Sequence, residues 1–402
     1  MTAVPIHRRH FLVGAAGVIG GAAVISDGPA GMGWLAARAL AEEAKPLPDY
    51  ASWKNAAALI VHSNNTIETR REFVGPSSIT PNDILYVRNN LSPPPESAVA
   101  DPDAWEVAFE GVGAPATLTL GALKRMGVTI GASVLQCSGN GRGLFDHEAS
   151  GTQWQTGAAG CVLWSGVPLK TVVDQLGGPG GGTFITATGG ETLPEGIDPK
   201  TVIVERSVPV AALEDAILAW EMNGQPLPLA HGGPLRIVFP GYYGVNNVKY
   251  VKRVALTETE SDAAIQATGY RVRPVGVDGA PDQPSMWEMK VKSWVTHPLA
   301  DSASGQTQIY GVAFSGQGAV DKVEVTTDGG KTWKEASLIG PDLGRFGWRV
   351  FALAADLTPG EYVIASRATD SAGNVQPEVT EPNHRGYDYS RWSRLAIDVT
   401  VA

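Results

Sequence analysis

The sequence predicts an α+β protein: a mixed domain of short strands and a few helices, followed by an all-β sandwich of the immunoglobulin type. Three observations carry this reading. The 402 residues suffice for two domains and a leader. The 48 glycines and 28 prolines suit a loop-rich, β-containing chain better than a helical one. After about residue 285 the pattern changes, and short strands recur with turn signals between them.

Residues 1–41 read as an export leader. Arg8-Arg9-His10-Phe11-Leu12 precedes a small, apolar run over 13–24, and Ala39-Leu40-Ala41 offers a small-x-small cleavage site before Glu42. The paired arginines before Phe-Leu resemble a twin-arginine signal, which carries proteins already folded in the cytoplasm and predicts a periplasmic destination. Two domains follow, 42–284 and 285–402. Residues 42–100 read as irregular and proline-rich around Leu91-Ser92-Pro93-Pro94-Pro95. Trp105-Glu106-Val107-Ala108-Phe109 alternates like a strand. Residues 119–126 and 213–222 read as short helices. Leu235-Arg236-Ile237-Val238-Phe239 is a strand stopped by Pro240-Gly241, and 248–256 is another. In the second domain strands are expected over 290–296, 308–314, 320–326, 349–354, 361–369 and 394–401. Asp328-Gly329-Gly330-Lys331 forms a hairpin turn, with Trp333 opening the next strand.

The bulk numbers narrow the function. A net charge of −10 argues against a nucleic-acid partner. No apolar run after the leader is long enough to span a bilayer. The two cysteines, Cys137 and Cys161, read as free thiols, and without a C-x-x-C-H motif the chain carries no covalent c-type haem. Cys137 stands out in Val134-Leu135-Gln136-Cys137-Ser138-Gly139-Asn140-Gly141-Arg142. An apolar run ends at a thiol, a glycine-rich turn follows, and an arginine comes five residues on. A thiolate there is a soft ligand for a transition metal. The local run alone is equally compatible with a core cysteine at a strand end.

Other segments decide between these. Tyr86-Val87-Arg88-Asn89-Asn90-Leu91, the Cys137–Arg142 run, Trp154-Gln155-Thr156-Gly157-Ala158, Glu221-Met222-Asn223-Gly224-Gln225-Pro226-Leu227-Pro228, His231-Gly232-Gly233-Pro234-Leu235-Arg236, Val248-Lys249-Tyr250, Asn374-Val375-Gln376-Pro377 and His384-Arg385-Gly386 together resemble the sulfite oxidase family of molybdenum enzymes. Within it they resemble the bacterial cytochrome-linked sulfite dehydrogenases. The resemblance implies that 42–284 is a catalytic, molybdopterin-binding domain and 285–402 a sandwich that makes a homodimer. It implies a molybdenum–molybdopterin cofactor with one pterin dithiolene, Cys137 as the metal's protein ligand, oxidation of sulfite to sulfate, and electrons passed singly to a separate c-type cytochrome.

The same resemblance assigns roles. Arg88, Arg142 and Arg385 would bind the substrate oxyanion, a task suited to guanidinium forks. Trp154 would wall the pocket, and Tyr270 would move a proton, with Arg88, Arg142 and Tyr270 as the catalytic set. His231, Arg236 and Lys249 would hold the pterin's terminal phosphate, with Arg236 and Lys249 on neighbouring strands, and Asn89 would contact the pterin. Asn90 stands where many relatives have histidine; it keeps hydrogen bonding but cannot take up a proton near neutral pH. His147 reads as a solvated loop residue. Three alternatives share much of this pattern: a sulfane dehydrogenase subunit of a sulfur-oxidising complex, a periplasmic methionine sulfoxide reductase, and a secreted binding module with no metal.

Overall fold

The computed structural model describes residues 45–402, apart from residue 76 and residues 302–304. The predicted leader therefore lies outside the described residues. Helices are few and short, with α1 at Leu120–Leu123 and α2 at Leu169–Gln175. Thr119 caps α1 by accepting from the Ala122 N–H at 3.1 Å, and a 3₁₀ turn carries that helix on to Met126, as expected from the sequence.

The first sheet corrects the irregular reading of 42–100. Strands β1 (Leu59–Ser63), β2 (Thr66–Thr69) and β3 (Val87–Arg88) pair antiparallel in that order. Asn64-Asn65 makes the hairpin loop between two runs of β-branched residues, a signal the nearby prolines obscure. This sheet ends on Arg88, opposite Thr66.

Two larger sheets follow. One comprises β4 (Glu106–Glu110), β5 (Ala116–Thr119), β8 (Phe184–Thr188), β9 (Glu205–Pro209) and β13 (Arg253–Thr257), in the order β5-β4-β13-β8-β9. The other comprises β6 (Thr129–Gln136), β7 (Ala159–Pro168), β10 (Ile217–Met222), β11 (Gln225–Pro226) and β12 (Arg236–Val238), with β11-β10-β7-β6 in sequence and β12 also on β10. Their shared core includes Trp105, Phe109, Ile185, Leu218, Ile237 and Phe239. Only β4 and β13 pair in parallel among the described strands.

Two expectations fail here. Residues 217–222 are a strand, not a helix; only 210–214 form a 3₁₀ turn. Ile217-Leu218-Ala219-Trp220 is apolar throughout because β10 lies between β7 and β12, and a continuous apolar run does not report its period. Residues 248–252 are not strand either. Tyr250 takes φ 51° and β13 begins at Arg253. Lys249 therefore stands in a loop fastened to the flanks of β12 by Ile237 N–H to Val248 O and Val251 N–H to Leu235 O, both 3.0 Å, rather than on a neighbouring strand.

The remaining chain forms two four-stranded antiparallel sheets. Strands β14 (Lys292–His297), β15 (Gly305–Phe314), β18 (Ser337–Ile339) and β19 (Arg349–Leu357) run β14-β15-β19-β18. Strands β16 (Val320–Thr326), β17 (Lys334–Glu335), β20 (Gly360–Asp370) and β21 (Ile397–Val401) run β17-β16-β20-β21. Val295, Ile309 and Phe351 from one meet Val323, Ile364 and Val399 from the other. A second apolar cluster, with Val134 and Cys161 against Trp294, Phe314, Trp348, Tyr387 and Tyr389, joins these sheets to β6 and β7. Arg71 adds a polar tie: Nε donates to Val295 O at 3.0 Å and Nη2 to Leu395 O at 2.8 Å.

Candidate active site

The β6–β7 ladder ends where the chemistry begins. Cys137 N–H still donates to Ala158 O at 2.9 Å, one residue past the end of β6. The chain then turns tightly, with Asn140 N–H on Cys137 O and Arg142 N–H on Gly139 O, both 2.9 Å. Gly141 sits at φ 97°, and a Cβ there would approach the Tyr389 ring to 2.7 Å, so both backbone and space demand glycine. The turn leaves the Cys137 side chain lining a cavity.

Seven of the predicted site residues line that cavity: Arg88, Asn89, Cys137, His231, Arg236, Lys249 and Tyr270. They come from β3, the turn after β6, β12 and the loops around it, and the short π-helical turn at Ile265–Gly269. Arg236 is buried, donating from Nε to Asn247 O at 3.1 Å and from Nη1 to His231 O at 3.0 Å. Lys249 Nζ donates to Asn89 Oδ1 at 2.5 Å and Ala230 O at 2.7 Å. Burial, then the nearby Arg236 and Arg88, hold Lys249 well below the usual lysine range. Burial, then Lys54, Lys249 and Arg236, push His231 far down, so its ring is neutral. Arg236 is lowered to about 10 by burial. For Arg88 burial works against the charge, but Tyr270, Cys137 and Tyr387 outweigh it and raise the guanidinium above its usual value. Tyr270 lies beside Arg88 and is first among the groups that favour its charge.

Among the described residues Glu191 is the one carboxylate lining this cavity, and burial raises it to about 7. Arg88, Arg236 and Lys249 facing one cavity with so little opposing charge favour an anion joining them. The orphaned polar atoms agree: Asn89 Nδ2, Ser138 Oγ, His231 Nε2 and Glu191 Oε2 are buried without a partner among the described residues. No group of three or more His, Cys, Asp or Glu side chains among the described residues is placed to hold a metal by itself. A metal on Cys137 would take its remaining ligands from a non-protein group. The residues therefore fit a pterin that is anionic at one end and carries a thiolate-bound metal at the other.

Three predicted residues stand outside the cavity lining. Arg142 is buried and engaged, donating from Nε to Arg385 O at 2.7 Å and from Nη1 to Thr152 O at 2.9 Å. Its guanidinium lies 5.3 Å from the Tyr387 ring centre. Arg385 is half-buried, with Nε unpartnered among the described residues. Trp154 is buried and packs edge-on to Tyr86, ring centres 6.2 Å apart, and to His62 at 5.2 Å. His147 is not a solvated loop residue: Nε2 donates to Asn383 O at 2.8 Å and the ring packs edge-on to Phe145. Asn90 does line the cavity.

Sequence reasoning missed Tyr86, Ser138 and Glu191 as cavity residues, and Tyr387, whose ring stacks on Tyr270 at 5.1 Å and 7°. Gly189-Gly190-Glu191, just after β8, held a signal. A Cβ on Gly189 would meet Glu191 Oε2 at 2.1 Å, so the carboxylate can fold back only over a glycine.

Comparison with known proteins places this arrangement. Residues 93–265 match the oxidoreductase molybdopterin binding domain and residues 283–400 the Mo-co oxidoreductase dimerisation domain. Fold and site thus define a molybdopterin-binding oxidoreductase. Rat mitochondrial sulfite oxidase is 34% identical over 352 residues, covering 82% of this chain and 63% of that protein. Chicken sulfite oxidase is 32% identical over 347 residues, covering 81% and 74%. Barley nitrate reductase [NAD(P)H] is 33% identical over 354 residues, covering 80% and 39%. This chain spans less than two thirds of the rat and human enzymes' length. The crystal structure of the sulfane dehydrogenase SoxCD from Paracoccus pantotrophus matches with a TM-score of 0.69 at 25% identity, covering 84% of this chain and 86% of that one. The chain belongs to the sulfite oxidase family of molybdopterin enzymes.

Proposed function

We propose that this protein oxidises sulfite to sulfate at a molybdenum–molybdopterin centre and passes the electrons singly to a separate c-type cytochrome. The observation that carries the reading is a single thiol, Cys137, opening into a cavity lined by Arg88, Arg236 and Lys249. When bound, the group supplies the two-electron oxidation and the oxygen transfer. Arg236, Lys249 and neutral His231 hold the phosphate, and Asn89 offers its unpartnered amide to the pterin. Arg88, kept charged by its neighbours, receives the anionic substrate. Tyr270, beside Arg88 and stacked on Tyr387, presents its phenol to the cavity, where it can hydrogen-bond the anionic substrate and move a proton. Arg385, with a free Nε, completes the anion-binding set, and Arg142 acts by holding Arg385 through its carbonyl. Trp154 backs the wall that Tyr86 presents.

The test is a molybdenum assay paired with sulfite-dependent reduction of cytochrome c; metal-free protein, or metal-loaded protein inert to sulfite, overturns the reading. A second reading, sulfane dehydrogenase activity on a carrier-bound substrate, draws on the structural match to SoxCD. Parallel assays with free sulfite and a carrier-bound sulfane separate the two. We read the C-terminal sheet pair as an immunoglobulin-like sandwich that builds a homodimer, which light scattering checks. The Arg8-Arg9 segment supports twin-arginine export to the periplasm, which fractionation and N-terminal sequencing check.

A further inference from the structure

Lys292 opens β14 in the second sheet pair, yet its side chain leaves that unit. It is 1% exposed, and Nζ donates to the backbone carbonyl of Asn140 at 3.1 Å, in the turn that follows Cys137. The ammonium lies 5.7 Å from the Trp294 ring centre and 5.8 Å from that of Tyr389. Among the described residues it has no salt bridge; Asp388, the nearby carboxylate, takes Tyr243 OH and pairs with exposed Lys290 at 2.5 Å. Burial pushes Lys292 down to about 7, with Asp388 opposing. A fully buried lysine with one carbonyl partner is an expensive way to fill space, and methionine would fill it at less cost.

The same turn is gripped at a second point from the same unit. The Asp388 N–H donates to Ser138 O at 3.0 Å, from a residue held at φ 61°. The carbonyls of Ser138 and Asn140 bracket Gly139, which has no side chain to pack. The Asn140 side chain is itself fixed, accepting from Ala158 N–H at 3.1 Å and donating to Gln136 Oε1 at 3.1 Å.

We propose that Lys292 is a positioning residue for the Cys137 turn: the second sheet pair reaches across and, through Lys292 on Asn140 O and Asp388 N–H on Ser138 O, fixes the loop that aims the Cys137 sulfur. The proposal rests on the reading of Cys137 as the metal ligand. It gives the second sheet pair a part in the active site of its own subunit, separate from assembly.

Amide hydrogen exchange on the purified full-length holoprotein tests it without reference to turnover. Lys292→Met keeps the aliphatic stem and removes the donor. Exchange in the peptide spanning 137–142 should quicken about tenfold or more, while peptides of β15 and β19 keep wild-type protection. Lys292→Arg retains donor and charge and should protect the turn to within about threefold of wild type. Lys290→Met removes a cation from the same Asp388 without touching the turn, and should change nothing there. An unchanged 137–142 peptide in Lys292→Met overturns the proposal, as does acceleration spread evenly through β14, β15 and β19. If Lys292→Met does not yield folded protein, Lys292→Arg decides: a protected turn supports the proposal, and a turn loosened in an otherwise protected protein, or no folded protein, overturns it. Molybdenum content of the wild type is measured alongside. Its absence would remove the metal-ligand reading while leaving the exchange result to judge the clamp.

Discussion

Cys137 and Cys161 occupy one antiparallel hairpin and have opposite fates. Cys161 lies mid-ladder, opposite Val134, with its N–H on Thr80 Oγ1 at 3.1 Å and its carbonyl taking the Thr80 N–H at 2.8 Å. It is fully buried, and burial pushes its thiol up to about 12, so it stays a neutral, small apolar group at any ordinary pH. Cys137 comes one step after the ladder ends and faces a cavity lined by Arg88, Arg236 and Lys249. What makes a cysteine a site here is not burial, which the two share, but whether its sulfur meets packed methyl groups or a space with positive walls.

The largest expected effect is on that contrast itself. Cys137→Ser should abolish sulfite-dependent cytochrome reduction and remove the cysteinyl sulfur from the molybdenum X-ray absorption, whereas Cys161→Ser should keep both. Full activity in Cys137→Ser would break the comparison. Next, Arg236→Met or Lys249→Met should weaken cofactor retention about 10–100-fold, read as molybdenum per protein after dialysis. Cys161→Ser should cost about 1–3 kcal/mol of stability, by denaturant titration, because a hydroxyl replaces a thiol in an apolar cluster. The smallest effect concerns Glu191 in cofactor-free protein. Its folded-state value, about 7, lies above the ordinary 4.5, so the stability it contributes is complete below pH 4.5 and lost as pH rises through 7. Glu191→Gln should flatten the fall in melting temperature across that window relative to wild type.

The sequence disclosed the site's chemistry more readily than its geometry. The strand running into Cys137 was legible because an apolar run meeting Ser-Gly-Asn-Gly has few other readings. The strands of 290–401 were legible because turn chemistry punctuates them. The strand at 217–222 was not, since a run buried on both faces has no period to read. The detachment of Arg142 and Arg385 from the cavity lining was equally hidden. An arginine's partner here is a backbone carbonyl 243 residues away, and carbonyls leave no mark on the sequence. Glu191 escaped because its role depends on a glycine two residues earlier and on burial that only the assembled sheets create.

Arg71 carries one more consequence. Its guanidinium, lowered to about 10 by burial, stitches the N-terminal segment to carbonyls ahead of β21 and within β14. Melting either half alone would strand that cation and bare the aromatic seam beside it. The chain should therefore denature in a single calorimetric transition, and the C-terminal half, excised, should not survive as an independent soluble fragment.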